Sequence, residues 1–260
     1  MARSAVRLTY LGGPTAILEL AGLRLLTDPT FDPAGTTYTT PVYTLRKTEG
    51  PALAPDEVGV IDAVLLSHDH HFDNLDRAGR EFLGQAGRVL TTGAGAERLG
   101  GRAVGLEPWE THTLSGPDGR TLRVTATPAR PGPAGSDRGP VIGFMLEPDD
   151  APGSPVYVSG DTVWYEGVAE VARRFSPAVA VLFAGAARVR EVGPDNLTFT
   201  AAEAVAAARE FSHATVVPLH FEGWEHFSES REDLERAFGA AALADRLRVP
   251  ARGGTLVVMT

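Results

Sequence analysis

Residues 66–76 read Leu-Ser-His-Asp-His-His-Phe-Asp-Asn-Leu-Asp. The stretch contains three of the seven histidines of the chain, together with three aspartates. It starts where an apolar run at 61–66 ends, and that run has the length and composition of a buried strand. Neutral imidazole and carboxylate are ligands that Zn, Mn and Fe share. The stretch therefore predicts a metal site at a strand end; the alternatives are a solvated polar loop or a cap for the next helix.

The composition is that of an ordinary soluble globular protein. The chain has 260 residues, of which 43% are hydrophobic and 22% charged. We interpret residues 1–260 as one domain, because no internal repeat, low-complexity segment or charge run marks a boundary. There is no cysteine, which excludes disulfides, thiolate metal sites and a cysteine nucleophile.

Charge and hydropathy restrict the partners. The net charge of −9 argues against general nucleic-acid binding, which needs a basic surface. No apolar run approaches the roughly eighteen residues of a membrane span, and the first residues carry no apolar signal region. We therefore expect a cytoplasmic protein with no nucleic-acid partner and no membrane span. The oligomeric state stays open.

The order of the predicted elements is typical of two packed sheets. Strands are predicted at residues 6–11, 15–20, 23–27, 61–66, 88–92, 111–114, 121–127, 141–147, 155–159, 178–183, 214–218 and 255–259. Helices are predicted at residues 76–85, 96–99, 166–175, 200–211 and 230–246. Consecutive strands followed by strand–helix alternation predict an α/β fold with helices outside two face-to-face sheets, a four-layer αββα sandwich.

Two regions without periodicity are predicted to be loops. Residues 34–58 are rich in Thr, Pro and Gly, and we expect them to form a wall or lid of a pocket. Residues 128–140 contain four prolines and three glycines. Asp28 precedes a proline, and we interpret it as a turn former, with a place at the site as the alternative.

Further candidate ligands follow other strands. Asp161 comes shortly after the strand at 155–159, and His220 comes just past the strand at 214–218. Inter-strand loops at one rim of the sandwich would bring both residues to the stretch at 68–73. We therefore expect these distant side chains to converge on one cation.

The chain resembles the metallo-β-lactamase superfamily, in particular its single-domain hydrolase branch, which includes ascorbate phosphate lactonases and N-acyl phosphatidylethanolamine phospholipases. The similar segments are residues 8–12, 25–29, 67–76, 125–129, 159–162 and 218–220. Each segment alone is a weak signal, but together and in this order they are specific. The resemblance implies hydrolysis by a metal-activated water molecule on the sandwich fold.

The resemblance also implies ligands, with one irregularity. The family loop reads H-x-H-x-D-H followed by Leu-Asp, whereas this chain has one extra residue in that loop. Aligned from the left, His68 and His70 are the first two ligands. Aligned from the right, His71 takes the second place, and the choice between His70 and His71 stays open. Asp73 matches the family aspartate, and Asn74 stands where the family has its third histidine.

The other ligand positions of the family are only partly kept in this chain. Asp161 matches the bridging carboxylate of the family, and His220 matches the last histidine. A further family histidine is replaced here by Arg130 and Pro131. Because imidazoles are lost while carboxylates are kept, the preference shifts from Zn towards Mn or Fe. We expect one firmly bound divalent ion, Zn or Mn with Fe as a further option, and a second ion bound weakly or not at all.

The implied activity is metal-dependent hydrolysis of a small ester, lactone or phosphoester. By family likeness, Asp73 orients the attacking water and handles its proton. Arg130 is a candidate for binding an anionic substrate group, the alternative being a solvated arginine. His226 is a candidate for substrate binding or proton transfer. The alternative function is a catalytically weakened metal- or ligand-binding protein on the same fold; a nuclease is the least favoured hypothesis.

Overall fold

The computed structural model describes residues 5–136 and 138–259. Residues 1–4, where the sequence predicts no signal region, Asp137 of the predicted loop 128–140, and Thr260 lie outside the described residues. The strands are β1 (Ala5–Gly12), β2 (Thr15–Leu20), β3 (Leu23–Thr27), β4 (Thr37–Thr39), β5 (Thr44–Arg46), β6 (Ala63–Leu65), β7 (Arg88–Thr92), β8 (Ala103–Leu106), β9 (Thr111–Ser115), β10 (Thr121–Pro128), β11 (Ile142–Pro148), β12 (Val156–Val158), β13 (Val179–Phe183), β14 (Thr215–Leu219) and β15 (Thr255–Met259). The helices are α1 (Arg77–Phe82), α2 (Gly93–Leu99), α3 (Glu166–Arg174), α4 (Ala201–Glu210) and α5 (Arg231–Ala240). Among the described helices, none has the length and apolarity that a membrane crossing requires.

The strands form two main sheets. In the described part of the chain, one sheet has seven strands in the order β15-β1-β2-β3-β6-β7-β8, and the other has six in the order β14-β13-β12-β11-β10-β9. Leu25 and Leu65 belong to a buried cluster with residues of both sheets, whereas Leu26 and Val64 belong to a second cluster with Phe82 of α1. Alternate strand residues therefore bury both faces of the first sheet.

Helices cover the outer face of the second sheet. The ring of Tyr157 in β12 lies 5.1 Å from that of Phe211, the residue that ends α4. The capping box predicted at Thr200 and Glu203 begins α4, with both reciprocal hydrogen bonds formed. The layers are thus helix, sheet, sheet and helix, which confirms the predicted αββα sandwich.

The structure differs from the predicted elements at three places. The helix predicted at 230–246 ends at Ala240, because Ala242 adopts a left-handed φ of 57° that a continuing helix excludes. Residues 34–58 are not irregular throughout, since β4 and β5 pair as an antiparallel hairpin. Strand β8 was not predicted, because its four residues Ala-Val-Gly-Leu are short and include a glycine.

Parallel pairing brings the chemically interesting loops to one rim. β6 runs parallel to β3 and β7, and β13 runs parallel to β12 and β14. Two backbone hydrogen bonds join the two sheets at the ends of these strands. They run from Ile142 N to Ser67 O at 3.1 Å and from His220 N to Gly13 O at 2.7 Å. The segments that follow β6, β12 and β14 therefore open onto the same space.

Candidate metal centre

The structure brings the six predicted ligands together. Among the described residues, two groups of side chains have imidazole or carboxylate atoms within 4.8 Å of one another. The first group is His68, His70 and His71, and the second is Asp73, Asp161 and His220. Residues from three distant parts of the chain thus meet at the rim that parallel pairing creates.

The two groups adjoin each other. His220 Nε2 lies 3.4 Å from Asp73 Oδ2 and 3.5 Å from Asp161 Oδ1. His68 Nε2 lies 4.0 Å from Asp161 Oδ2, which connects the groups. His220 adopts a φ of 55°, a conformation that is costly for a residue other than glycine and that is concentrated at functional sites. The fold therefore holds this imidazole in place against a local backbone preference.

The extra loop residue leaves two imidazoles beside His68. His71 Nδ1 lies 2.8 Å from His68 Nε2. His70 Nε2 lies 2.7 Å from the carbonyl oxygen of Arg138, so this nitrogen donates its hydrogen and Nδ1 keeps a lone pair. His71 thus faces His68 directly, while His70 makes the outer hydrogen bond that is typical of metal-bound histidines. His70, the ligand in the alignment from the left, and His71, the ligand in the alignment from the right, therefore both lie beside His68.

A buried hydrogen-bond chain orients His68. Asp28 accepts hydrogen bonds from the backbone N–H of Ser67 at 2.6 Å and from its hydroxyl at 2.5 Å. The Ser67 Oγ lies 2.9 Å from His68 Nδ1, and since its hydrogen is directed to Asp28, it accepts from this nitrogen. That tautomer leaves the Nε2 lone pair directed at the other ligands. Asp28 is therefore part of the site, the alternative that sequence analysis ranked below a turn former.

Asn74 supports the site as a hydrogen-bond donor. Its side-chain nitrogen lies 3.0 Å from Asp28 Oδ2 and 3.1 Å from Asp161 Oδ1. The residue that replaces the third family histidine therefore fixes the direction of two buried carboxylates. Its amide nitrogen, rather than its oxygen, faces these acids.

Burial keeps the imidazoles neutral. Loss of hydration lowers the pKa of His68 well below its usual value, lowers that of His71 to about 4, and lowers that of His220. A neutral imidazole has a lone pair for a cation at pH 7 without first losing a proton.

The carboxylates are shifted in opposite directions. Burial raises the pKa of Asp161, and the charges of Asp73 and Asp28 raise it further. Burial also acts to raise the pKa of Asp73, but the imidazoles of His220 and His226 outweigh it and hold that pKa well below its usual value. For Asp28, burial raises the pKa to about 7 although hydrogen bonds from Ser67 oppose it. Buried acids this close together would be stabilised by a divalent cation.

The donor set fits the metal that the sequence predicts. Both ring nitrogens of His220 are buried without a hydrogen-bond partner among the described residues. A buried polar atom is costly unless it is paired, and a metal ion held beside the carboxylates would supply a partner for Nε2. The neutral imidazoles and the two carboxylates also exceed the three protein ligands that a catalytic metal typically requires.

A cavity of about 330 Å³ lies over these ligands. His70, His71, Asp73 and Asp161 line it, and we call this part the floor. His226 also lines it, and its Nε2 lies 3.0 Å from Asp73 Oδ2. The remaining lining residues are Val42, Tyr43, Leu45, Pro131, Arg138, Gly139, Ala187, Val189, Val192 and Leu197. The predicted loop at 34–58 therefore does supply a wall, through the β4–β5 hairpin.

Arg130 is not among the residues that line this cavity, and its role in substrate binding stays a prediction. Its guanidinium lies 4.2 Å from the centre of the Tyr165 ring, and its Nε donates to Gly132 O at 3.2 Å. Cation–π attraction thus holds the side chain elsewhere. Arg138, eight residues further along the same loop, does line the cavity. Nothing in the sequence of this loop distinguishes Arg138 from Arg130 as a lining residue.

Comparisons with known proteins give a consistent result. Residues 23–221 match the family described as the Beta-lactamase superfamily domain. The chain is 23% identical over 260 residues to UPF0173 protein YddR of Bacillus subtilis, which covers 95% of this chain and 98% of that protein. It is 29% identical over 180 residues to a UPF0173 metal-dependent hydrolase of a Ruegeria species, with 66% and 71% covered. The solved isothiocyanate hydrolase from Delia radicum gut bacteria has the same fold, with a TM-score of 0.80, 22% identity, and coverage of 96% of this chain and 98% of that one.

Proposed function

The chain belongs to the β-lactamase superfamily and is a metal-dependent hydrolase, and we propose that it hydrolyses a small ester, lactone or phosphoester. One observation carries the proposal. Asp73, Asp161 and His220, which are distant in sequence, meet as buried side chains beside a cavity of small-molecule size.

We assign metal binding to His68, His70, His71, Asp73, Asp161 and His220. A divalent ion held there, Zn or Mn with Fe as a further option, would polarise the scissile group and lower the pKa of water towards neutrality. Because Asn74 presents an amide N–H where an imidazole would complete a second ligand set, we propose one firmly bound ion and a second, weaker one.

Asp73 and His226 are proposed to handle the proton of the attacking water. Asp73 Oδ2 is the acceptor, since its low pKa keeps it ionised and it lines the cavity. His226 Nε2, 3.0 Å away, donates to that oxygen and fixes its direction. The pair therefore aligns the carboxylate with the substrate rather than leaving it free to rotate.

Arg138 is proposed to bind the substrate oxygen, the role that sequence analysis gave to Arg130. Its Nε is buried without a hydrogen-bond partner among the described residues, and its Nη2 makes a long contact of 3.4 Å with Val192 O. A guanidinium with a free N–H can stabilise negative charge that develops on a carbonyl or phosphoryl oxygen.

Replacing His220 tests this function. His220→Ala should lose bound metal and reduce hydrolysis of generic ester and phosphoester substrates on the order of a hundredfold or more, because a ligand matters at least as much as its outer hydrogen-bond partners. Metal content by mass spectrometry and kcat/KM with added Mn or Zn are the measurements. His213→Ala, at an exposed histidine outside the site, is the matched control and should change neither.

The same assay separates the two functions that the fold allows. Metal bound at His220 together with hydrolysis supports the enzyme. Metal bound without hydrolysis of any substrate supports a ligand-binding protein and contradicts the proposal. Two tightly held ions per chain would contradict the assignment of one firm and one weak site.

A further inference from the structure

We propose that the substrate carries a compact, uncharged apolar group, which binds against the walls of the cavity beside the metal ligands. The inference rests on the proposed function, because it specifies the substrate class of the same site. Of the three substrate types, it favours an ester or lactone with a short alkyl or aryl chain over a phosphoester.

The first observation is a separate hydrophobic cluster, which we call the cavity cluster. It is distinct from the two core clusters, and its buried members are Tyr38, Leu45, Val189 and Trp224. The partly buried members are Tyr43, Phe72, Val192, Leu197 and Phe227. Most residues of this cluster come from the β4–β5 hairpin and from the segment at 187–197, and both of these line the cavity.

The cavity cluster is incomplete. Three members of the cavity cluster also line the cavity and retain exposed surface: Tyr43, Val192 and Leu197. Val42, at the turn of the hairpin, is 61% exposed and lines the same cavity. An apolar substituent of the substrate would cover these side chains and so gain binding free energy from the water it displaces.

The second observation is where the charges lie. Among the described lining residues, the ionisable acids and imidazoles belong to the floor and to His226, and Arg138 is the one guanidinium. The lining residues that come from the hairpin and from the segment at 187–197 are all apolar, apart from the phenol of Tyr43. A charged substituent against these walls would lose hydration without gaining a partner. The reacting group therefore faces the floor, and the rest of the substrate is apolar.

A series of esters tests this inference on the metal-loaded protein. We would measure kcat/KM for 4-nitrophenyl acetate, butyrate and hexanoate, with 4-nitrophenyl hydrogen succinate as the charged counterpart of the butyrate. Two buried methylene groups should raise kcat/KM about tenfold from acetate to butyrate. The succinate should fall at least about tenfold below the butyrate, because Arg138 is engaged by the ester oxygen and the carboxylate then lies against the apolar hairpin and segment without a partner.

Two exposed valines provide matched variants that keep the fold. Val42→Asp places a carboxylate on the wall and should abolish the preference for butyrate over acetate. Val60→Asp is the control, because Val60 is 79% exposed and is not among the lining residues. It should leave the ratio of the two rates as in the wild type.

A binding measurement distinguishes failure of the inference from failure of the function. Acetohydroxamate and hexanohydroxamate would be titrated into the metal-loaded protein by calorimetry. Tighter binding of hexanohydroxamate without hydrolysis of any ester would support the apolar walls and overturn the proposed function. Hydrolysis with equal rates along the ester series, or a preference for the succinate, would overturn the inference and leave the function standing. Equal Kd values for the two hydroxamates would also overturn it.

Discussion

At the scale of single residues, the site depends on side chains that hold the metal ligands in place. Ser67 connects Asp28 to His68 through its hydroxyl, with oxygen contacts of 2.5 and 2.9 Å. Asn74 performs the same task for Asp161. These partners set the ring tautomer and the carboxylate direction, which raises the affinity of a site for its metal.

Removing the Ser67 hydroxyl should weaken the metal site without unfolding the protein. In Ser67→Ala the backbone N–H still binds Asp28, but His68 loses the acceptor that fixes its Nδ1 hydrogen. We expect the Kd for metal to rise about ten- to hundredfold, measured by competition with a chelator. Ser115→Ala, at an exposed position, is the control. Equal affinity in both variants would show that Ser67 does not orient the ligand.

His71 should make the metal-stripped protein sensitive to acid. In the folded protein, burial lowers the pKa of His71 to about 4, whereas a histidine in an unfolded chain has a pKa of about 6.5. As the pH falls through this window, the unfolded chain gains a proton at this residue before the folded chain does, so folding stability decreases. We expect the free energy of unfolding of the wild type, relative to His71→Gln, to drop by about 3 kcal/mol between pH 7 and pH 4. Denaturation with urea at several pH values measures it, and a pH-independent difference would contradict the buried, neutral state.

At the scale of elements, a buried ion pair ties the cavity wall to the metal-binding loop. Lys47 follows the β4–β5 hairpin, and its Nζ lies 2.9 Å from Oδ2 of Asp76, the N-cap of α1. The two side chains are 3% and 0% exposed. Burial lowers the pKa of Lys47 although Asp76 opposes the shift. Hairpin, α1 and residues 66–76 are therefore expected to unfold together.

Breaking this pair should be far more costly than breaking a surface pair. Lys47→Met leaves the Asp76 carboxylate buried without its cation, which should cost about 3–5 kcal/mol of stability. Arg231→Met is the matched control, because its partner Glu235 is 48% exposed, and the cost there should be at most about 1 kcal/mol. Urea denaturation compares the two variants. Similar small losses would show that the pair does not connect the wall to the loop.

At the scale of the whole molecule, the sequence predicts the strands, which follow from hydrophobic periodicity, and the common rim, which follows from the polar residues at strand ends. Apolar runs of strand length predict β6, β12 and β14, and polar ligands directly after them predict a common rim, as found at Asp73, Asp161 and His220. The layer order follows from the same patterns.

The loops resist prediction for physical reasons. The conformation of residues 128–140 depends on contacts such as the stacking of Arg130 on Tyr165, which no local pattern encodes. The spacing of the loop residues likewise does not decide whether His70 or His71 is the ligand. The position of the His70 ring depends on its hydrogen bond to the carbonyl oxygen of Arg138, which is distant in the sequence. The sequence does not predict the β4–β5 hairpin because each of its strands has only three residues.

We propose that one cation binds where the segment at 68–73 meets Asp161 and His220. Anomalous X-ray diffraction from crystals of the metal-loaded protein, recorded at the absorption edge of the metal, locates this cation. We expect a peak at about 2.0–2.2 Å from nitrogen and oxygen atoms of all three segments. A peak elsewhere on the protein, or the absence of any peak between these side chains, would contradict it.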